Sequence, residues 1–360
     1  MKRIAFFITK LGHGGAERVA TILANEFAKD PRYEVNAILT YDNEDSYQLL
    51  NNIKSFVLPF HKSHMLRIIK RQIAVHQLLK RIAPDIVVSI PEGTTPYIVI
   101  DHFFSGRYAT VFSQRQDPEL EYNSAFKKLL ANIRYMCATS IVFQTDEQKK
   151  FFWETAQKKS TVILNPIKEN LPIRNANMVC NEIVTFCRLE KEKNLTLLID
   201  SFSMLADKHT DFTLKIWGKG SEEEALRAYI AQSGLQKRVL LMGYSANIHN
   251  EIKDAYMYVN SSNHEGISNA MLESMAIGLP VICTDCPCGG ARVVINDGIN
   301  GILIPMNSTI ALSGAMERLI NDRDYACQMS EEAKKARTEY SLEKIVDKWK
   351  KVVEEAIAKG

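Results

Sequence analysis

Strand-length apolar runs alternate with amphipathic helical stretches from one end of the 360-residue chain to the other. This alternation predicts parallel sheets covered by helices, because neighbouring parallel strands need a crossover connection that is usually helical. Twelve strands are predicted, six in each half: Ile4–Ile8, Val35–Leu39, Ile86–Ile90, Thr110–Gln114, Ser140–Gln144, Thr161–Leu164, Glu182–Cys187, Thr213–Trp217, Val239–Met242, Tyr256–Asn260, Pro280–Thr284 and Gly301–Ile304.

The break between the halves is marked by Asn165-Pro166 and the polar, proline-containing stretch that follows to Asn177. A chain of this length exceeds one ordinary hydrophobic core, so two domains are expected. We predict an α/β protein of two doubly wound, Rossmann-like domains, residues 1–165 and 178–340, that face a central cleft. In such domains, ligands bind at the carboxyl ends of the parallel strands.

The composition is that of an ordinary soluble protein, with 46% hydrophobic and 24% charged residues. No apolar run approaches the ~18–20 residues that span a bilayer, and the first run stops at Ile8 without a signal-peptide cleavage pattern. The protein is therefore expected in the cytoplasm.

Seven cysteines, an odd number, argue against a disulfide framework. We interpret Cys283, Cys286 and Cys288 as strand and loop thiols, because the nearest fourth zinc ligand, His264, belongs to no motif.

Basic residues concentrate in the first half, where residues 1–160 hold 22 Lys and Arg against 16 Asp and Glu. No acidic residue occurs between Ser46 and Pro84, and residues 54–81 carry seven cations: Lys54, Lys62, Arg67, Lys70, Arg71, Lys80 and Arg81. Apolar residues interleave with them at helical spacing: Met65, Ile68, Ile69, Ile73, Leu78, Leu79 and Ile82.

This basic stretch fits a helix that packs its apolar side and presents its cations to an anionic membrane surface. A solvated basic face is the alternative that the pattern leaves open. No nucleic-acid recognition motif accompanies the charge, so nucleic acid is not an expected partner.

Two glutamates, Glu265 and Glu273, flank a predicted helix start at Ser268-Asn269, and Gly278 and Pro280 end that helix. The unpaired N–H groups and the positive dipole of a helix N-terminus suit a phosphate. Glu273 lies about 7–8 Å along the axis from Ser268 at 1.5 Å per residue, far enough to reach past a phosphate toward a ribose. Glu265 precedes the helix and can face the other end of a nucleotide sugar. The sequence therefore places the chemistry here.

The strings Glu265-Gly-Ile-Ser-Asn and Glu273-Ser-Met-Ala-Ile-Gly-Leu-Pro-Val resemble the donor-binding signature of family 4 glycosyltransferases, which are retaining enzymes with the GT-B fold. The resemblance covers nearly the whole chain, because the predicted elements come in the family's order. It implies that residues 1–165 bind the acceptor and residues 178–340 bind the donor. It also implies that the terminal helix, within residues 341–360, crosses back onto the first domain.

The segment Phe186–Asn194 extends the resemblance, since the family has Gly-Arg-Leu-x-x-x-Lys-Asn here. Arg188 and Lys193 match, and Cys187 replaces the glycine. Two cations after a strand can neutralise the charge on a departing diphosphate. With Glu265 at the sugar hydroxyls, they are the implied catalytic residues. Further donor contacts are expected from glycine-ended strands, from the turn after the first strand and from the helix start: Gly218, Gly243, Tyr244, Gly14, Gly15, Gly266, Ile267, Ser268, Asn269 and Glu273.

Acceptor contacts are expected from the first domain. The Gly-Gly-Ala-Glu string is common in family members that build bacterial surface glycans, which implies that Glu17 and Arg18 help to hold the acceptor. Glu92 and Arg115 follow strands and are expected at the acceptor, with a donor phosphate as the alternative for Arg115. His102 and His264 are expected to be packed rather than catalytic.

The resulting hypothesis is retaining transfer of a hexose or N-acetylhexosamine from a nucleoside diphosphate sugar, preferably a UDP-sugar, to a lipid-linked glycan in bacterial surface polysaccharide synthesis. No Asp-x-Asp string is interpreted as metal-binding, so neither an obligatory divalent ion nor a cofactor is expected. The enzyme would be peripheral on the cytoplasmic face of the inner membrane.

Two other functions remain open. One is a GT-B-fold sugar-nucleotide epimerase, and the other is a non-catalytic nucleotide-sugar-binding protein. A nicotinamide dehydrogenase is disfavoured, because the glycines at 12–15 lack the G-x-G-x-x-G spacing and no acidic residue ends the second strand.

Overall fold

The chain divides into two compact units, Met1–Pro166 with Glu343–Gly360, and Ile167–Leu342. The computed structural model describes residues 1–12, 14–42, 47–90, 92–175 and 180–359, with the side chain of Glu92 outside that description. Each unit is built on an all-parallel sheet, of seven strands in the first and six in the second. The predicted α/β class with two Rossmann-like domains is confirmed.

The sheet of the first unit has the strand order β3-β2-β1-β4-β5-β6-β7. Six of its strands overlap predicted ones. The central strands among them are mostly buried and read as continuous apolar runs, whereas the edge strand β7 is partly exposed. The short strand β3 was not predicted. It lies at the edge of the sheet, where it pairs with β2, and most of its residues are exposed. The strands are β1 (Lys2–Ile8), β2 (Tyr33–Leu39), β3 (Lys54–Val57), β4 (Ile86–Ser89), β5 (Ala109–Ser113), β6 (Ser140–Phe143) and β7 (Ser160–Val162).

Between these strands, the described residues form the helices α1 (Gly15–Ala28), α2 (His64–Ile82), α3 (Thr95–Ser105), α4 (Pro118–Glu121), α5 (Ala125–Met136), α6 (Asp146–Phe151) and α7 (Glu154–Gln157). A 3-10 turn, Glu92–Thr94, precedes α3. Helix α3 packs against both α2 and α5. These three helices cover one core cluster of the sheet, to which they contribute Val75, Ile98 and Ala131.

Helix α2 corrects one prediction about the basic stretch. Four of the apolar residues expected to pack, Met65, Ile68, Ile69 and Ile73, are exposed. The buried positions are Arg71, Val75, Leu79 and Ile82. The Arg71 guanidinium donates to the carbonyl of Thr40 at 2.8 Å and lies over the ring of Tyr41, so this cation is an interior group. Lys54 pairs with Glu34 at 3.0 Å and stays exposed, so six of the seven predicted cations are exposed or half-exposed.

The sheet of the second unit has the order β10-β9-β8-β11-β12-β13. The chain therefore reverses direction across the sheet between β8 and β11, a topological switch point of the kind where ligands bind. The strands are β8 (Glu182–Phe186), β9 (Thr213–Trp217), β10 (Val239–Gly243), β11 (Met257–Asn260), β12 (Val281–Thr284) and β13 (Ile302–Ile304). All six overlap predicted strands.

One large core cluster of this unit, built from its strands and from α8, α9, α12 and α13, includes Leu198, Phe202, Met257 and Met316. The helices in the described part of this unit are α8 (Leu195–Ala206), α9 (Glu223–Gln232), α10 (Ile248–Ile252), α11 (Asn269–Ile277), α12 (Thr309–Asn321), α13 (Arg323–Ala333) and α14 (Ala336–Glu339), with a 3-10 turn at Lys191–Lys193. Within the described residues, no helix combines the length and apolar character needed to cross a bilayer.

The terminal helix α15 (Leu342–Lys359) packs on the first unit. Its apolar stripe includes Trp349, which is fully buried with the guanidinium of Arg115 5.3 Å from its ring. Its polar side pairs Lys350 with Asp30 at 3.0 Å and Glu354 with Arg32 at 2.9 Å. Hydrogen bonds from Arg32, and the charge of Lys350, hold the pKa of Asp30 well below its usual range.

Candidate active site

The carboxyl ends of β8 and β11 bring two predicted motifs together. Lys193 Nζ lies 2.5 Å from Glu265 Oε1, and the two side chains are 12% and 21% exposed. The hydroxyl of Ser262 also donates to Glu265 Oε1, at 3.2 Å. Burial acts to lower the pKa of Lys193, but the charge of Glu265 and its hydrogen bond outweigh burial and raise it. The result is a mostly buried ion pair at the switch point of the sheet.

The second glutamate of the motif, Glu273, lies on α11 and is 3% exposed. Its Oε2 atom is 2.7 Å from Nε2 of His249, the second residue of the short helix α10. His249 was not singled out from the sequence, because a lone histidine in a polar helix carries no motif. This contact fixes the orientation of the Glu273 carboxylate.

Helix α11 begins where the sequence predicted. Ser268 is its N-cap, and the Ser268 hydroxyl accepts from the Met271 amide at 3.3 Å. Gly278 ends the helix in the left-handed conformation, with φ 100°. Every residue from Met271 to Ile277 is buried, so the helix is packed inside the unit and its N-terminus is held in place.

Arg188, the other predicted cation, lies on the same loop but apart from the Lys193–Glu265 pair. Its side chain is 68% exposed and donates to Glu192 Oε1 at 2.9 Å. Since a surface ion pair of this kind contributes little stability, Arg188 is free to exchange Glu192 for an anionic ligand.

Glycines set the spacing of the loops that surround the pair. A side chain on Gly218 would meet the carbonyl oxygen of Cys187 at 1.8 Å, and the φ of Gly218 is +139°. Gly243 also has positive φ, at +73°, and its carbonyl accepts from the Gly218 amide at 2.8 Å. The loops after β8, β9 and β10 are therefore joined by their backbones. Tyr244 follows in the third loop and is 60% exposed.

The loop that carries Glu265 is positioned by a glycine that the sequence reasoning missed. A side chain on Gly290 would lie 1.6 Å from the carbonyl oxygen of Gly266, so the two backbones are in direct contact. Ile267, the next residue, is 7% exposed. Gly290 follows β12, which is the neighbour of β11 in the sheet.

Asn194 connects three loops of the second unit. Its backbone is left-handed, with φ 44°. Its side-chain amide donates to Asn263 Oδ1 and to Asn307 Oδ1, each at 3.0 Å. These contacts tie the Lys193 loop to the loops after β11 and β13. In the Lys-Asn pair of the motif, Lys193 is therefore a charged residue of the site, and Asn194 holds three loops together by hydrogen bonds.

Five residues predicted for the first unit lie at or just before the starts of its helices. Gly14 is the N-cap of α1 and Gly15 is its first residue. The Glu17 carboxylate covers Gly14, since a side chain there would lie 1.9 Å from Glu17 Oε2. Arg18 is half-buried. Glu92 lies in the 3-10 turn before α3, and its side chain is outside the described part of the structure.

Arg115 is an interior residue, 7% exposed. Its Nη1 donates to Asn165 Oδ1 at 2.9 Å, and its Nε and Nη2 atoms have no hydrogen-bond partner in the described part of the chain. Burial lowers the pKa of Arg115 to about 9. The sequence did not anticipate its contact with Trp349 or with Asn165.

The described residues contain no group of three His, Cys, Asp or Glu side chains that would hold a metal ion. Cys283, Cys286 and Cys288 are all buried thiols. Burial raises the pKa of Cys286 to about 11 and that of Cys187, beside Lys193, to about 12. An Asp-x-Asp string does occur in the sequence, as Asp322-Arg323-Asp324 at the start of α13. There Asp322 is the N-cap, and its carboxylate accepts a hydrogen bond from the Tyr325 amide at 2.9 Å.

Comparison with known proteins agrees with this architecture. Residues 166–336 match the family model described as glycosyl transferases group 1. The chain is 25% identical over 370 residues to an uncharacterized glycosyltransferase of Haemophilus influenzae, covering 98% of this chain and 100% of that protein. It is 26% identical over 340 residues, 89% of this chain and 91% of the relative, to the N-acetylgalactosamine-N,N'-diacetylbacillosaminyl-diphospho-undecaprenol 4-alpha-N-acetylgalactosaminyltransferase of Campylobacter jejuni.

Among solved structures, Anabaena Alr3699/HepE in complex with UDP and glucose superposes with a TM-score of 0.85 at 18% identity, covering 98% of this chain and 100% of that one. The fold is thus the GT-B fold. Within it, the second unit carries the group 1 glycosyltransferase pattern, and the Lys193–Glu265 pair and α11 lie inside the matched residues.

Proposed function

We propose that the protein transfers a hexose or N-acetylhexosamine from a nucleoside diphosphate sugar to a lipid-linked glycan, with retention of the anomeric configuration. The observation that carries the proposal is the Lys193–Glu265 pair at the switch point of the second sheet. Support for the acceptor class comes from the Campylobacter relative, which is named for a diphospho-undecaprenol-linked substrate. Support for uridine as the base comes from the Anabaena structure, which contains UDP and glucose.

Lys193 and Arg188, with the first amides of α11 at Ser268 and Asn269, would stabilise the charge that builds on the departing diphosphate. Lys193 is held in place by Glu265, whereas Arg188 is exposed and would turn from Glu192 onto the phosphate. Glu265 would hold sugar hydroxyls near the reacting carbon, and its acceptance from Lys193 and Ser262 fixes its carboxylate for that task.

Glu273 is the proposed ribose ligand, and His249 orients its carboxylate. Backbone and side-chain contacts to the nucleotide would come from Gly218, Gly243, Tyr244, Gly266 and Ile267, and contacts to the diphosphate from Gly14 and Gly15. The side chains of Glu17, Arg18, Glu92 and Arg115 are proposed to bind the acceptor. We place the reaction on the cytoplasmic face of the inner membrane, in bacterial surface polysaccharide synthesis, without a required metal ion.

The first test is a thermal-shift screen of UDP, GDP, ADP and TDP against the wild type and Glu273→Gln. We expect a rise in Tm with UDP that the substitution weakens. The matched control is Glu317→Gln, which removes a carboxylate from an ion pair with Lys208 on the same unit and leaves the shift unchanged. Equal rises in Tm in Glu273→Gln and the wild type would contradict the assignment of Glu273 to the site. No change in Tm with any of the four nucleotides would contradict the nucleotide-sugar function.

The second test is product analysis with UDP-sugars and a lipid-linked oligosaccharide, with and without EDTA. Free UDP with an extended, α-configured acceptor in both conditions supports the proposal. A new sugar epimer formed without acceptor would establish the epimerase, and binding without any product would establish a nucleotide-sugar-binding protein. Activity lost in EDTA would contradict the metal-independent reaction.

A further inference from the structure

The outer surface of α2, α3 and α5 is unusually apolar for helices that face solvent. Each carries a stripe of large apolar side chains directed away from the core that the three helices cover. The exposed members are Met65, Leu66, Ile68, Ile69 and Ile73 on α2, Ile100, Phe103 and Phe104 on α3, and Phe126, Leu129, Leu130, Ile133 and Met136 on α5. We name this surface the three-helix face.

On α5 the stripe has regular helical spacing at Phe126, Leu129, Leu130 and Ile133, so one continuous side of the helix is apolar. The opposite side packs Ala131 and Tyr135 into the core. Contiguous apolar surface of this extent on a soluble protein marks an interaction site.

The charges on the same helices have one sign. Seven exposed or half-exposed cations accompany the apolar stripes: Arg67, Lys70, Lys80 and Arg81 on α2, and Lys127, Lys128 and Arg134 on α5. The one carboxylate within the three helices is Asp101. It is 3% exposed, and it lies 2.7 Å from both His76 Nδ1 and the hydroxyl of Tyr108. The exposed charges carried by the three helices themselves are therefore all positive, and one of these cations, Lys128, pairs at 2.9 Å with Glu119 of α4.

The most exposed part of the face is an aromatic pair at the end of α3. Phe103 and Phe104 are 83% and 79% exposed, and their rings meet edge to face with centroids 5.4 Å apart. Gly106, with φ 54°, ends the helix directly after them, and Arg107 follows, also exposed. Two large rings at a helix end with a neighbouring cation form a protrusion suited to the boundary between head groups and acyl chains.

We propose that the three-helix face docks on an anionic phospholipid bilayer, with Phe103 and Phe104 inserted at the interface and the cations at the lipid phosphates. The sign of the charge decides the occupant. A second copy of the chain would set like charges against each other, and nucleic acid would leave the apolar stripes uncovered. An anionic bilayer satisfies both components at once. The proposal rests on no step of the transfer reaction, and it extends docking from the basic stretch of α2 to α3 and α5.

The test is flotation of the full chain with vesicles of phosphatidylcholine alone or with about a quarter phosphatidylglycerol. We expect binding to the anionic vesicles alone at about 0.1 M salt and its loss at about 1 M, where the Debye length falls to ~3 Å. Phe103→Ser/Phe104→Ser is expected to lower the partition coefficient by about tenfold or more. The matched control is Ile310→Ser, a 77% exposed apolar residue of the second unit, which leaves binding unchanged.

For the charges, Lys70→Glu/Lys127→Glu is expected to lower binding by at least about tenfold, because each cation near an anionic surface contributes roughly fivefold. Lys348→Glu/Lys351→Glu on α15 makes the same change in net charge at exposed positions outside the face and serves as the control. Both variants and both controls are at the surface, so their folding is checked by unchanged Tm.

Three outcomes would overturn the proposal. The first is wild-type protein that stays unbound or binds neutral vesicles equally well. The second is equal loss of binding in a variant and its control. The third is a dimer in sedimentation velocity that Phe103→Ser/Phe104→Ser dissociates, since a second copy would then cover the face. Because vesicle binding is measured without donor or acceptor, its result is separate from that of the transfer assay.

Discussion

Lys193 Nζ and Glu265 Oε1 lie 2.5 Å apart although 72 residues separate them in the sequence. The pair forms because β8 and β11 are sheet neighbours, so the loops after these two strands open at the same place. The cation and the carboxylate that the motifs supply separately are therefore one unit of the site. The position and charge of the Lys193 side chain therefore depend on Glu265.

Substituting either member of the pair alone is expected to destabilise the protein by about 3 kcal/mol, because a mostly buried charge is left without its partner. Lys193→Met with Glu265→Gln is expected to cost less than the two single changes together. Urea unfolding of the four proteins measures the coupling. Single variants as stable as the wild type would show that the contact does not form in solution.

The pair also predicts a dependence of stability on alkaline pH. Since the folded pKa of Lys193 is raised, its contribution is complete below the unfolded value of ~10.4 and is lost as pH rises through the higher folded value. The difference in Tm between the wild type and Lys193→Met should therefore shrink above about pH 10.4. A difference that stays constant or grows over that range would contradict the raised pKa.

Gly290→Ala is expected to destabilise the second unit by about 2 kcal/mol or more and to weaken the UDP shift, because the new methyl group forces the Gly266 backbone away. Gly314→Ala is the control. It lies within α12, where an added methyl group meets nothing within 4 Å, and it should stabilise by about 0.5–1 kcal/mol. Chemical denaturation compares the two, and equal stabilities would disprove the backbone contact.

Asn194→Gly retains easy access to the left-handed backbone but removes three side-chain hydrogen bonds, so a loss of about 1–3 kcal/mol is expected. Asn194→Ala should cost roughly 1 kcal/mol more, because alanine is strained at positive φ. Asn170 also has positive φ, at 56°, and it is exposed, which makes Asn170→Gly the near-neutral control. Alanine tolerated better than glycine at position 194 would refute the assigned conformation. Denaturant midpoints measure all three.

The cysteines should divide into two classes toward a thiol reagent at pH 8. Cys137, Cys180 and Cys327 are exposed and should react quickly. Cys283, Cys286 and Cys288 are buried and Cys187 is half-buried. Desolvation raises the pKa of Cys187, Cys283 and Cys286, so little thiolate is present to react. Mass spectrometry after timed labelling identifies the sites. Rapid labelling of Cys187 in folded protein would contradict its burial beside Lys193.

The sequence predicted the architecture because the strands of parallel sheets are buried on both faces and are visible as apolar runs. The edge strand β3 lacks that burial and gave no signal. Helix α2 was predicted in place, and Leu79 and Ile82 pack as expected, but four other apolar residues that were expected to pack are exposed. Periodicity shows that a helix has an apolar side and does not show what that side contacts.

The start of α11 at Ser268 and its end at Gly278 followed from capping chemistry, which is local and therefore readable. The partners of Glu273 and Arg115 depend on contacts with His249 and Trp349 that are distant in sequence. Asn194, Asn263 and Asn307 appear as ordinary turn residues until the sheet order brings their loops together. Sequence spacing located the charged residues of the site, and only the fold defined their contacts.

The assignment of α15 to the first unit has a consequence for the order of folding. During synthesis, residues 1–166 emerge first, yet the surface that receives Trp349 remains uncovered until residues 343–359 have left the ribosome. The second unit is continuous in sequence and has all of its strands by Ile304. The unit that is synthesised first is thus completed last. More than 200 residues are synthesised after Arg115 before Trp349 can pack against it.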